Sequence, residues 1–270
     1  MPRYWVGCSG WGYDDWVGPF YPRGTPAGEF LPRYARVFPL VEVDSSFYRP
    51  PSPFLVRRWI SVTPDGFRFT LKAPQDLTHG PAGPKSAAAL QAFLEGLRII
   101  HAAQKLGSVV LQFPASFRRD RTPDRLAELL NAIPVEYPLA VELRHASWWT
   151  DETRRDLEGR SAALVWSVIP HAEPPAWVTA PFLYARFVGD RALTKFDHVQ
   201  RDKRAEMESL RHRFENEGRS ALTVYALVNN HYMGFGPGSA QVLQEVLGLP
   251  PSDLANAARD AQQRSLDASS

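Results

Sequence analysis

Eight short runs rich in β-branched and aromatic residues, separated by stretches with helical periodicity, constrain this chain more than any other feature. The runs span residues 4–8, 40–44, 67–72, 108–113, 139–144, 162–168, 182–187 and 222–229. Strands that alternate with helices pair in parallel, because a parallel pair needs a long crossover between its members. Eight such units predict an α/β fold closed into a single (β/α)8 barrel of the TIM type. The 270 residues exceed the usual domain size, but barrels reach this length as one unit. Residues 1–250 are expected to form that one domain, since no repeat, linker or break in composition marks a second. Residues 251–270 read as a polar, Ala-rich tail, either a short helix or disordered.

The helices carry start and stop signals. Ser52-Pro53 and Thr122-Pro123 read as N-cap residues followed by a first-turn proline. Ser86 is expected to cap a long helix whose apolar face carries Leu90, Phe93, Leu94, Leu97 and Ile100, with a stop at Gly107. A later helix over 199–217 is expected to end at Gly218. One unit departs from the rule. The segment 170–181 is rich in proline and lacks a helical period, so the helix between the sixth and seventh strands is expected to be replaced by an extended loop.

Alternation along each strand assigns its faces. Val141 and Leu143 share one face of the fifth strand, opposite Glu142 and Arg144. Val41 and Val43 oppose Glu42 and Asp44 on the second. The helix-facing side of a barrel is apolar, so the charged set points at the axis. The same logic turns Lys72, Gln112, Arg186 and Asn229 inward. Of these eight residues three are acidic and three basic. Barrel interiors are normally filled by branched apolar side chains, and buried charge is costly unless paired or hydrated. A self-neutralising network explains part of the set. A polar pocket at the carboxyl ends of the strands, where barrels build their sites, explains why several strands contribute at one level.

The bulk composition leaves the ligand open. A formal charge of +2 excludes polyanion binding by net charge alone, but the basic residues are mostly Arg, whose planar fork suits phosphate and carboxylate. The single cysteine, Cys8, excludes an intrachain disulfide and a multi-cysteine metal site, and reads as a small buried residue of the first strand. The chain enters Tyr4-Trp5-Val6-Gly7 without a basic segment and a long apolar one, so no signal peptide is expected. No apolar run approaches the ~20 residues of a membrane span. These features predict a cytoplasmic protein with no membrane contact, and nothing identifies a protein partner.

Six ordered runs together resemble a known family. They are Val6-Gly7-Cys8-Ser9-Gly10-Trp11, Phe20-Tyr21-Pro22, Val41-Glu42-Val43-Asp44-Ser45-Ser46-Phe47-Tyr48-Arg49, Phe69-Thr70-Leu71-Lys72-Ala73-Pro74, Ala140-Val141-Glu142-Leu143-Arg144-His145 and Asn229-Asn230-His231. The chain is similar over roughly residues 4–247 to domain of unknown function family 72, the YecE-like proteins. That resemblance implies a β/α barrel and no particular activity. The sequence departs from the family pattern at Cys8, where Thr or Ser is usual, and at Asp44, where Asn is usual. It also lacks a His before Gly189, which leaves no support for a scheme using that His.

Aromatic and basic residues follow the strand ends. Trp11 and Tyr48 are the candidate stacking platforms for a base or a sugar, within a set that includes Tyr13, Trp16, Phe20, Tyr21, Phe47, Trp148, Trp149, Tyr232 and Phe235. Arg49, Arg118, Arg119, Arg121, Arg191 and Lys195 suggest an electropositive mouth suited to phosphate. His79, His145 and His231 follow strand ends without metal-ligand spacing. The cofactor therefore stays unknown, with a divalent metal as one option.

Three functions fit these residues. The first is a pocket for a phosphate-containing ligand, a nucleotide or nucleic acid, with phosphoester hydrolysis as its chemistry. Here Glu142, Asp44 and Glu42 are the catalytic candidates. Lys72, Arg144, Arg186, Gln112, Asn229, Asn230, His79, His231, Trp11 and Tyr48 are the ligand-binding ones. The second is glycoside hydrolysis by Glu142 with Glu42 or Asp44, although Arg144 beside Glu142 opposes the raised pKa an acid needs. The third is a small-molecule-binding barrel without catalysis.

Overall fold

Period-two alternation builds two concentric apolar layers and one polar layer. The structure, a computed structural model, describes residues 2–170, 172–189 and 192–259. Eight strands, β1 (Arg3–Ser9), β2 (Leu40–Val43), β3 (Arg68–Lys72), β4 (Leu106–Gln112), β5 (Leu139–Glu142), β6 (Ala162–Val168), β7 (Phe182–Phe187) and β8 (Thr223–Val228), close into a barrel in sequence order. Every neighbouring pair is parallel, including the closing pair β1–β8. The predicted TIM-type barrel is therefore the fold.

Outward residues such as Val41, Val43, Phe69, Leu71, Val109, Leu111, Val141, Trp166 and Val228 join the core between sheet and helices. Inward residues divide by depth. Trp5, Leu40, Val110, Ala140, Val165, Tyr184 and Leu227 form a separate apolar plug. Above it, toward the carboxyl ends, the inward positions turn polar. Gly7 shows how tightly β1 and β2 approach, because a Cβ there would lie 2.0 Å from the Leu40 carbonyl oxygen.

Helices Pro53–Ser61, Pro84–Ala102, Arg125–Ala132, Asp151–Arg160, Arg204–Asn216 and Gly236–Val246 cover the barrel, with the short Phe30–Tyr34 after β1. Phe93, Leu97 and Ile100 line the buried stripe of Pro84–Ala102, each contributing about 1.5–3 kcal/mol by leaving water. Ser52 caps Pro53–Ser61 by accepting from the Leu55 amide at 3.3 Å. Four other expected signals are corrected. Ser86 sits in the first turn, where its hydroxyl accepts from the Gly83 amide. That helix ends through Gln104 at φ 55, while Gly107 lies inside β4, where a Cβ would meet Phe69 and Thr70. Thr122-Pro123 forms a turn ahead of a helix that starts at Arg125, and the 199–217 helix runs only Arg204–Asn216.

Among the described residues no helix joins β6 to β7, as the prolines of 170–181 predict. The loop replaces helical hydrogen bonds with side-chain ones. Thr179 Oγ1 donates to the Ala162 carbonyl at 2.6 Å and accepts from the Leu164 amide at 3.0 Å. Trp166 Nε1 donates to the Trp177 carbonyl, and Arg213 reaches the Pro174 carbonyl. Of the 251–270 tail, Leu254–Arg259 is helical, and 260–270 lies outside the described residues.

Candidate functional site

β2, β4, β5 and β7 bring Glu42, Gln112, Glu142 and Arg186 to one level above the apolar plug. Arg186 joins them. Its Nη2 donates to Glu42 Oε1 at 2.6 Å, and its Nη1 donates to Glu142 Oε2 at 2.5 Å and to Gln112 Oε1 at 3.3 Å. Glu42 also accepts from Ser9 at 3.0 Å and from Tyr184 at 2.8 Å, and Thr70 shares a hydrogen bond with Tyr184. Arg144 Nε caps the other oxygen of Glu142 at 2.5 Å. Both glutamates have no solvent exposure, and Arg186 is 3% exposed. A buried charge survives only when nearly every lone pair and proton is matched, and here they are.

This pairing sets the protonation states. Burial pushes the Glu142 carboxyl up, but Arg186 and Arg144 overcome it and hold the pKa at about 2. Burial likewise opposes ionisation of Glu42, and Arg186 and Lys72 hold it below its ordinary value. Arg186 sits well above its ordinary value because Glu42, Glu142 and Asp44 outweigh its burial. With Oε1 accepting from Arg144 and Oε2 from Arg186, and the carboxyl held ionised, the geometry gives Glu142 a place in the ion network and does not favour it as a general acid.

Over this floor lies a cavity of about 760 Å³, lined among others by Tyr13, Asp44, Tyr48, Lys72, Gln112, Arg144, Arg186, Gly189, Asn229 and His231. Asp44 opens a 3-10 turn directly after β2. Its Oδ1 stands 3.5 Å from Lys72 Nζ and 3.8 Å from Arg186 Nη2, yet accepts no hydrogen bond among the described residues. Burial, then the Glu42 charge, pushes the Asp44 carboxyl above its ordinary value. Lys72 is pushed down by burial and then by Arg186, and its Nζ rests 4.4 Å above the Phe47 ring.

The free edges facing this cavity are mostly donors. Gln112 accepts from Arg186 through its oxygen, which leaves its amide nitrogen open. Asn229 accepts from the His231 amide through Oδ1 at 3.0 Å, which leaves Nδ2. Arg144 uses only Nε, which leaves both Nη groups. His231 Nδ1 lies 3.0 Å from the Leu193 carbonyl, an acceptor, so Nδ1 carries the proton and Nε2 the lone pair. Gly189 shapes the rim at φ +78, where a Cβ would lie 2.2 Å from the His231 carbonyl oxygen.

Several expected members lie elsewhere. Asn230 is buried, and its Oδ1 accepts from Trp16 Nε1 and the Gly236 amide. Trp11 packs edge-on against Trp59, with centroids 5.5 Å apart, and is not a lining residue. His79 bonds Thr78 and packs against Phe47. His145 bonds Ser147 and Arg118. Among the described residues, no three His, Cys, Asp or Glu are grouped to hold a metal ion. The electropositive mouth is weaker than expected, because Arg118, Arg119 and Lys195 pair with Asp120, Glu152 and Asp197. Arg191 lies outside the described residues. Cys8 is buried, its thiol pushed up to about 12 by burial, which fits a core residue. Tyr48 does line the cavity and is 74% exposed. Tyr184 and Ser9 were not singled out, although Tyr184 shares the inward face of β7 with Arg186.

The fold and this mouth define a parallel β/α barrel with a polar, donor-rich cavity at its carboxyl end. The chain belongs to the family described as protein of unknown function DUF72, which matches residues 5–264. UPF0759 protein YunF of Bacillus subtilis strain 168 is 29% identical over 151 residues, covering 54% of this chain and 52% of that protein. UPF0759 protein YecE of Escherichia coli K12 is 32% identical over 145 residues, covering 54% and 50%. The matched stretch thus spans about half the length of these curated relatives. A DUF72 family protein of Thermotoga maritima MSB8 superposes with a TM-score of 0.75 at 28% identity, over 91% of this chain and 99% of that one. One from Enterococcus faecalis V583 gives 0.74 at 24% identity, over 94% and 98%. SacUVDE gives 0.54 at 10% identity, over 92% and 98%, a likeness of fold alone. No helix among the described residues is long and apolar enough to cross a membrane.

Proposed function

We propose that the cavity binds a phosphate-containing ligand, a nucleotide or nucleic-acid segment. One observation carries this reading: Gln112, Asn229, Arg144 and Lys72 all turn unused donors toward one space. A neutral sugar needs donors and acceptors in comparable number, whereas a phosphate is acceptor-only and matches such a wall. The Arg186 network serves as the rigid floor that orients Gln112 and Arg144.

Phosphoester hydrolysis at this site would run its proton transfer through Asp44, with His231 Nε2 as the second group. Asp44 is the carboxyl that keeps an unbonded oxygen and a raised pKa. Glycoside hydrolysis has less support. Glu42 and Glu142 are both tied to Arg186 with no exposed surface, so neither is free to protonate a leaving group.

Calorimetric titration with pyrophosphate, AMP and a short oligonucleotide tests the binding. Arg144→Ala is expected to weaken it about 10- to 100-fold, the range for losing charge-assisted hydrogen bonds. Phosphodiesterase and phosphatase screens, with and without divalent ions, test turnover, which Asp44→Asn is expected to lower. Turnover of aryl glycosides without affinity for phosphate would overturn the reading.

A further inference from the structure

The cavity holds one amine that phosphate binding alone does not explain. Only five of the chain's 31 basic residues are lysine, so a lysine where arginine is the habitual cation is itself informative. The five differ in what they do. Lys105 is buried and donates to Ile60 O, Thr63 O and Thr63 Oγ1, which consumes all three of its protons. Lys85, Lys195 and Lys203 form ion pairs of 2.9, 2.6 and 2.5 Å with Asp76, Asp197 and Glu206. Lys72 makes no hydrogen bond among the described residues. Its side chain is 12% exposed and lines the cavity, and its carboxylate partner Asp44 stands back at 3.5 Å.

An amine becomes a nucleophile when it is partly desolvated, lies beside another cation and has a base within reach. Lys72 meets each condition. It is mostly buried, Arg186 lies within ion-pair range of the same Asp44, and Asp44 Oδ1 accepts no hydrogen bond among the described residues. In the same cavity, the unused donors of Arg144, Gln112 and Asn229 are suited to hold an anionic group.

We propose that Lys72 forms a reversible imine with the carbonyl carbon of a small aldehyde or ketone that also carries a phosphate or carboxylate. The inference rests on the anion-binding reading for the placement of that second group. Asp44 first takes a proton from the ammonium. The Nζ lone pair then attacks the carbonyl carbon, forming the C–N bond and breaking the C–O π bond. A proton moves from nitrogen to oxygen to give the carbinolamine. Asp44 returns its proton to the hydroxyl, which leaves as water while the nitrogen lone pair closes C=N. Ammonium plus carbonyl becomes protonated imine plus water, with no oxidant or reductant.

Reductive trapping tests this. The full-length protein is incubated with cyanoborohydride and with glyoxylate, pyruvate or glycolaldehyde phosphate in turn, then mapped by peptide mass. The expected result is one adduct per chain, at Lys72, formed at least tenfold faster than at the more exposed Lys85, Lys195 or Lys203. Inorganic phosphate should suppress it. Lys72→Arg, which keeps the charge, should give none, and Asp44→Asn should slow trapping tenfold or more. An unlabelled Lys72 peptide in the unaltered protein, or labelling no faster than at the more exposed lysines, overturns the proposal. A thermal shift with inorganic phosphate separates the two readings. An Arg144-dependent shift without Lys72 labelling sinks the imine and keeps the anion site; neither signal sinks both. Labelling that phosphate does not suppress upholds the imine and overturns the anion site.

Discussion

Arg186 and Glu142, from strands two apart in the barrel, meet at 2.5 Å where neither touches solvent appreciably. The same guanidinium holds Glu42 from the opposite side, so one cation neutralises two buried carboxylates, and Arg144 supplies the second positive charge. Removing Arg186 leaves two buried anions with half their partners. Arg186→Met is therefore expected to destabilise the fold by about 3–5 kcal/mol in urea unfolding. Arg186→Lys should rescue little, because one ammonium cannot span both carboxylates. Unchanged stability in Arg186→Met would show the network to be energetically idle.

Acid unfolding should follow Glu142. Its folded pKa, about 2, lies below its ordinary 4.5, so the stability it contributes is present above 4.5 and drains away as pH falls toward 2. The amount is on the order of 3 kcal/mol. Glu142→Gln removes that titration, so its stability should fall less steeply between pH 4.5 and 2 than that of the unaltered protein. Parallel pH profiles would contradict the assignment.

Asp44 has the opposite sign. Burial and Glu42 raise its carboxyl when folded, so its contribution favours folding at low pH and is lost as pH rises past its ordinary 3.8. Asp44→Asn is then expected to raise Tm slightly at pH 7 and leave it unchanged at pH 3, while weakening function. A gain confined to neutral pH identifies a carboxylate kept at a cost for its chemistry.

Gly189 follows β7 at φ +78 against the His231 carbonyl. Gly189→Ala forces a Cβ into that carbonyl, so both Tm and phosphate affinity are expected to fall. A Gly189→Ala protein with normal Tm and normal affinity would mean the rim tolerates displacement.

The Thr179 hydroxyl stands in for the missing crossover helix by bridging Ala162 and Leu164. Thr179→Val keeps the shape and removes both bonds. A loss of about 1–3 kcal/mol is expected, the cost of orphaning buried backbone groups, and retained stability would indicate that the loop is held by other contacts.

Local chemistry made the barrel readable. Strand alternation is a property of one backbone, so Glu42, Glu142, Lys72 and Arg186 were turned inward before any partner was known. Prolines forbid helix locally, so the bare β6–β7 connection was equally plain. Signals with several local solutions misled: Gln104 takes the left-handed position expected at Gly107, and Ser86 supports its helix from the first turn. Tandem Asn229 and Asn230 are alike in sequence, yet one faces the cavity and the other binds Trp16, 214 residues away.

The order of residues along each strand thus determined which side chains point at the axis and where the chain closes. Tertiary structure alone decided that Arg186 takes both glutamates, that Glu142 is consequently locked ionised, and that Asp44 and Lys72 are left with unspent capacity. Facing is set by neighbours one bond away. Protonation and availability are set by charges delivered from strands 44 to 144 residues apart, through distances no linear pattern encodes.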